Sequence, residues 1–182
     1  VDTSTGQVIT EAAAKGASLI NDVRALRREG ALEAAAKAQV PVCLMHMQNQ
    51  PKTMQEQPAY NDVVSEVMEF LQDRQQVCLD AGIGNEKIII DPGFGFGKSL
   101  AHNMALFHAI DVFAATGCPV LVGVSRKTMI GQMLGVAQPD QRLIGSVAMA
   151  MLAAQKGAAI LRVHDVLETK QAITTWQHTT QG

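Results

Sequence analysis

The sequence is short of most features that announce a function at once. Its three cysteines, Cys43, Cys78 and Cys118, are odd in number and set far apart in apolar surroundings. Neither a disulfide framework nor a zinc site follows from that pattern, and core thiols are expected. Neither charge is in excess, 15 basic residues standing against 17 acidic ones, and no basic run occurs. Nucleic acid and anionic membrane are therefore not expected as partners, and any ligand charge must be met locally. No apolar run approaches a membrane span, and the N-terminus lacks the charged, apolar and small-residue order of a signal peptide. A soluble, cytoplasmic protein is expected. No linker or low-complexity tract divides the 182 residues, of which 47% are hydrophobic, so one domain over 1–182 is predicted. The chain also lacks an initial methionine, and "VDTSTGQVITEAAAKGA" opens as though a strand were already ending. N-terminal truncation is the expectation.

Two further absences concern the stretch "DPGFGFGKS" at 91–99. A Walker A loop requires G-x-x-x-x-G-K-[ST], yet the position five before Gly97 is Pro92; a dinucleotide fingerprint counted from Gly93 and Gly95 puts Lys98 where its third glycine belongs. Neither phosphate cradle is present. What remains is a carboxylate, Asp91, at the mouth of a strand, followed by glycines that permit unusual dihedrals and close approach of a ligand.

Short β-branched or aliphatic runs recur at 17–22, 40–46, 87–91, 119–127 and 158–165, each ending in polar residues, and read as buried parallel strands. Helical segments are predicted between them at 30–38, 60–81, 100–116, 140–156 and 166–176, and glycines in "AKGA", "LDAGIG", "ATGCP" and "QKGA" mark helix ends. Strand and helix alternate, which predicts an α/β fold. Parallel strands put all their carboxyl ends on one face, so Asp2, Asn21, Asp22, His46, Asp91, Ser125, Arg126, Lys127, Arg162 and His164 should collect there. In a doubly wound sheet only the endings at the switch point would meet, whereas polar endings on nearly every strand favour a (β/α)8 TIM barrel. Six endings are visible. A complete barrel has eight strands and roughly 250 residues, so the expectation is an incomplete barrel of about six C-terminal βα units with the first two missing.

The ordered segments "VDTS", "INDV", "LMHMQ", "PKTMQ", "DPGFGFGK", "LVGVSRKTMIG" and "RVHDV" span nearly the whole chain and resemble the successive signatures of dihydropteroate synthases. The resemblance implies a transferase of folate biosynthesis that condenses 6-hydroxymethyl-7,8-dihydropterin diphosphate with p-aminobenzoate. The products would be 7,8-dihydropteroate and pyrophosphate. It also implies sulfonamides as competitors, a homodimer, and a magnesium ion. The family's opening loop, of Asn-x-Thr-Pro-Asp-Ser type, has no counterpart here; the expected metal ligand lies there, so no metal ligand is assigned in this chain. Pterin binding with little or no turnover is the expectation for such a fragment.

The residue chemistry suits those roles. An ionised carboxylate at a strand end accepts paired N–H donors from an amino-pyrimidinone edge, which assigns Asp91 to the pterin. Lys127 complements the acceptors on the opposite edge, with Asn21 and Asp2 completing the perimeter and Met47 lining the apolar side. The guanidinium of Arg162 can stack on a flat ring as a lysine could not. Position 164 shares a strand face with 162, so Arg162 and His164 read as the diphosphate grip. Phe96, Ser125 and Lys127 are assigned to p-aminobenzoate. Lys127, Arg162 and His164 are the catalytic candidates, stabilising leaving charge with no protein nucleophile.

Plainer readings stand beside these. Asp22 is read as a helix cap, His46 as a core histidine satisfied by backbone or a site residue, Lys98 as a solvated loop lysine and Arg126 as structural. Met129, Met133, Met149 and Met151 suit core or subunit packing, and His102, His108 and His178 carry no site role. The competing functions are a non-catalytic pterin-binding fragment and a methyltetrahydrofolate-dependent methyltransferase with a corrinoid partner; "GFGFGK" and "SRK" speak against the latter.

Overall fold

A computed structural model describes residues 1–48 and 58–180; the segment "PKTMQ" lies outside them. Strand β1 (Ile20–Asp22) pairs in parallel with β2 (Val42–Met45), and β2 with β3 (Ile88–Asp91). Strand β4 (Leu121–Val122) pairs in parallel with β5 (Ile160–Leu161). Single parallel bridges, Asp2 to Asn21 and Ile90 to Val120, join the first residues to β1 and β3 to β4. Spatial order therefore follows chain order from Asp2 to β5, with every carboxyl end on one side.

The connections are helical: α1 (Gly6–Ala14), α2 (Ala31–Ala38), α3 (Val63–Asp80), α4 (Leu100–His108), α5 (Ile110–Ala114), α6 (Thr128–Leu134), α7 (Leu143–Gln155) and α8 (Val166–Thr180). The four predicted helix-ending glycines, Gly16, Gly82, Gly117 and Gly157, all have φ between 86 and 97°, where a side chain would be strained. The helix predicted over 100–116 is two, broken at Ala109. The one predicted over 140–156 opens as a 3-10 turn at Pro139–Arg142, where proline suits a first turn, before α7 begins. The short α6, directly after "SRK", was not among the predicted helices; one turn of apolar spacing in "TMIGQML" is too little to separate it from a loop. Among the described residues no helix is long and apolar enough to cross a membrane.

Strand alternation divides the core. Val42 and Leu44, Ile88 and Ile90, and Val120 and Val122 face the helices and pack with Ile9, Leu106, Ile110 and Phe113. The intervening Cys43, Ile89 and Leu121 form a second cluster with Leu19 and Ile160. Asn21, Met45, Asp91, Gly123, Ser125, Arg162 and His164 carry the same parity as that second set, so the alternation directs them to the concave side.

Asp22 has the opposite parity and is fully buried. Its Oδ1 accepts from the Ser4 hydroxyl and, at 2.8 Å, from Arg24 N–H, while Oδ2 accepts from Leu26 N–H at 3.0 Å. These bonds hold a turn in which Ala25 and Leu26 take φ of 51 and 56°, a conformation that side chains disfavour. It is a turn cap, not a ligand contact. Asp22→Ala should cost about 2–3 kcal/mol, the scale of buried donors left unpaired, read as a lowered urea midpoint; an unchanged midpoint would mean that the turn holds itself.

Candidate functional site

The concave side opens, at the strand ends, into a cavity of about 340 Å³ lined by Met45, Asp91, Phe96, Ser125, Lys127, Arg162 and His164. Six sequence-predicted site residues, contributed by β3, β4, β5 and the loops after them, thus meet in one place. Asp91 is 7% exposed, and its Oδ1 accepts from Gly93 N–H at 2.7 Å. Burial pushes its carboxyl up from the usual range, opposed by Lys127, the Gly93 amide, Lys98 and Arg162. Lys127 donates to the Phe94 carbonyl and lies 4.6 Å from the centroid of the Phe96 ring. Burial lowers its ammonium to about 8, with Asp91 opposing and Arg162 reinforcing the fall.

Ser125 and His164 share a 2.9 Å hydrogen bond between Oγ and Nδ1, and Ser125 Oγ also accepts from the His164 amide at 3.2 Å. Arg162 reaches across to Asp2, 160 positions away, in a 2.8 Å ion pair. Asn21 Nδ2 donates to the other Asp2 oxygen, while Asn21 Oδ1 is buried with no hydrogen-bond partner among the described residues. Asp2 and Asn21 therefore stand at the rim, joined to the cavity through Arg162. Met47 is buried but does not line the cavity; Met45, which sequence reasoning passed over, does. The reason is local: β2 ends at Met45, so the alternation that aims side chains inward stops there.

Lys98 corrects a second expectation. It is 4% exposed, its Nζ donating to His46 Nδ1 at 3.0 Å and to the carbonyls of Gly93 and Phe96 at 2.9 and 3.1 Å. The loop folds back over its own lysine, which no periodicity reports. His46 is buried and bonded through its ring to that lysine, a core histidine whose partner is a side chain as well as backbone. Burial, then Lys98 and Arg27, lower its imidazole to about 3, so it is a neutral acceptor. Arg126 points away from Lys127 as expected, forming a two-bond ion pair with Asp165 at 3.0 and 2.5 Å. On the far side of Phe96 and Lys127 a second cleft, of about 770 Å³, runs along α6 past Arg126 and Arg142.

Fold and cavity together define an α/β domain that gathers polar groups for a small ligand at the carboxyl ends of parallel strands. The pterin binding enzyme family matches residues 1–164, and the chain belongs to it. It is 54% identical to the dihydropteroate synthase of Escherichia coli K12 over 173 residues, which cover 95% of this chain and 61% of that one. The crystal structure of the Yersinia pestis dihydropteroate synthase with a sulfonamide drug superposes with a TM-score of 0.96 at 52% identity, covering 100% of this chain and 66% of that one. The dihydropteroate synthase of Xanthomonas albilineans in complex with 7,8-dihydropteroate gives 0.92 at 49% identity, covering 98% and 65%. The chain thus spans three-fifths to two-thirds of the length of these relatives.

Burial also lowers the Lys98 ammonium, to about 7, with Asp91 opposing. A lysine with a depressed folded value binds fewer protons folded than unfolded between that value and its ordinary 10.5. The lysine contribution to stability must therefore rise with pH. Over pH 7 to 8.5, below the ordinary thiol value of 9.0, wild type should gain about 1–2 kcal/mol relative to Lys98→Met. Denaturant titrations across that window check it; parallel curves would show that Lys98 is not held below its usual range.

Proposed function

We propose that the chain carries the pterin and p-aminobenzoate sites of a dihydropteroate synthase. The observation that supports it is the meeting of Asp91, Ser125, Lys127, Arg162 and His164 around one cavity. In this reading Asp91 accepts the paired N–H donors of the pterin edge, and Lys127 donates to its opposite edge. Asn21, whose buried oxygen has no partner among the described residues, and Asp2 close the perimeter. Arg162 exchanges its partner Asp2 for the ligand, stacking on the ring and, with His164, gripping the diphosphate. Phe96, Ser125 and Lys127 border p-aminobenzoate, and sulfonamides compete there. Met45 takes the wall position expected of Met47.

The reaction needs no covalent enzyme intermediate. The aniline nitrogen attacks the methylene carbon; a C–N bond forms, the C–O bond to diphosphate breaks with both electrons leaving on oxygen, and the ammonium loses a proton. Cations at the leaving group and fixed geometry supply the rate. Among the described residues no group of three or more His, Cys, Asp or Glu side chains could hold a metal ion, so no step is routed through the magnesium that the resemblance implies.

In architecture, the chain-order parallel strands read as six of the eight strands of a (β/α)8 barrel, residues 1–182 being one pterin-binding domain. The apolar groove between α7 and α8, lined by Leu143, Ile144, Val147, Met151 and Ala172, with Ile144 78% exposed, is the face offered to a second copy in a homodimer. A cytoplasmic setting suits the substrates.

Pyrophosphate release that depends on p-aminobenzoate tests the reading; pterin binding without release would favour a non-catalytic pterin-binding protein, and transfer of a methyl group the methyltransferase alternative. Asp91→Asn should weaken pterin binding by roughly 1.5–3 kcal/mol, the scale of a charge-assisted hydrogen bond, with the fold intact by circular dichroism. Equal affinity in calorimetric titration would remove Asp91 from the site. Arg162→Lys keeps the charge and loses the planar fork, so affinity for the pterin diphosphate should fall by more than about tenfold; tight binding by the lysine variant would show that charge alone suffices.

A further inference from the structure

The glycine-rich loop between β3 and α4 has its backbone held largely by side chains from elsewhere. The Phe94 carbonyl takes Lys127, the Gly97 carbonyl takes the Tyr60 hydroxyl at 3.0 Å, and the Gly95 amide gives to Asn103 Oδ1 at 2.7 Å. Asn103, 3% exposed, returns its amide nitrogen to the Lys98 and Ser99 carbonyls at 3.3 and 2.7 Å. At Gly93 the loop is pressed so close to β2's exit that a Cβ would stand 1.8 Å from the His46 carbonyl oxygen, at a φ of +71°. Asn103 ties Gly95 to the end of the loop, and a backbone bond from Phe96 N–H to the Gly93 carbonyl at 3.1 Å closes its turn. Lys98 joins that turn to the exit of β2: its ammonium reaches the carbonyls of both Gly93 and Phe96 and anchors them to His46, whose own amide is bonded to the Asp91 carbonyl at 3.0 Å.

We propose that Lys98 is a positioning residue: seated on His46 Nδ1 and on the Gly93 and Phe96 carbonyls, it holds the loop in the shape that sets Phe96 and Lys127 on the cavity wall. Without the ammonium, the Phe96 carbonyl and the His46 ring nitrogen lose the donor they have here. A buried acceptor without a partner is costly, so the loop opens toward water and Phe96 leaves the wall. Lys127, whose acceptor is the Phe94 carbonyl, is released with it. Lys98 touches no reacting atom; it acts through the residues that do.

The test replaces Lys98 by methionine, which keeps the aliphatic stem. His46→Leu removes the acceptor, while His46→Asn retains one near the Nδ1 position. Hydrogen exchange of the 92–97 segment, followed by mass spectrometry, reads the loop directly. Titration with 6-hydroxymethylpterin reads its effect on binding, and only this second readout rests on the proposed function. In Lys98→Met and His46→Leu, exchange should quicken by about tenfold or more within the loop, and pterin affinity should fall by about tenfold, as for a lost charge-assisted bond. His46→Asn should stay within about threefold of wild type in both. Loop exchange unchanged in Lys98→Met and His46→Leu would overturn the proposal, as would a rise spread evenly over β2, β3 and α4, which marks general loosening. If Lys98→Met fails to fold, the two His46 variants decide. If wild type does not bind the pterin, the functional reading fails and exchange alone judges Lys98.

Discussion

A carboxylate buried at the end of a strand is the constraint on which the site depends. Every residue of β3 is buried, so Asp91 is largely withdrawn from bulk water and must be balanced by cations and N–H groups. They arrive from three places: Lys98 from its own loop, Lys127 from the loop after β4 and Arg162 from the end of β5. The balance is mutual. Burial pulls both lysines below their ordinary range, and Asp91 is what opposes that fall in each. Charge thus couples loops that share few backbone bonds, and a change in one loop alters the protonation of the others.

The loops after β4 and β5 are also tied mechanically, on both of their faces. Inward, Ser125 bonds to His164 at 2.9 Å; outward, Arg126 pairs with Asp165 at 3.0 and 2.5 Å. Arg126 holds a φ of 57°, a conformation that its neighbours must enforce. Its amide gives to Ser146 Oγ at 2.9 Å and its carbonyl accepts from Arg142 Nη1 at 2.9 Å, both partners lying at the start of α7. In each loop adjacent residues divide the work: Ser125, Lys127 and His164 line the cavity, while Arg126 and Asp165 lock the turn from outside. Neighbouring side chains thus separate binding from support.

Much of this was legible in the chain. The polar endings of aliphatic runs locate β1 to β5 and place Asp91, Ser125, Lys127, Arg162 and His164 on one side. The reading of 162 with 164, and of 126 against 127, gave the sides that the structure has, although these positions lie beyond β4 and β5 and their directions are fixed by bonds between the two loops. Met47 and Lys98 mark where that reasoning stops. Alternation holds only while the backbone is extended, and β2 ends at Met45. Beyond β3 the chain turns by glycines with φ of 71, 78 and 65°, and no period describes where a lysine at the end of such a turn will lie.

The sequence by itself determined most of the element types, the parallel order of the strands and the side of the sheet on which the chemistry falls, because those follow from local periodicity and from the rule that parallel strands end together. Tertiary structure alone decided which partners meet: Asp2 with Arg162 across 160 positions, His46 with Lys98, and Lys127 with the Phe94 carbonyl. Such pairings depend on loop paths and on how many cations one buried carboxylate can gather, and these are properties of the closed space, absent from any window of sequence.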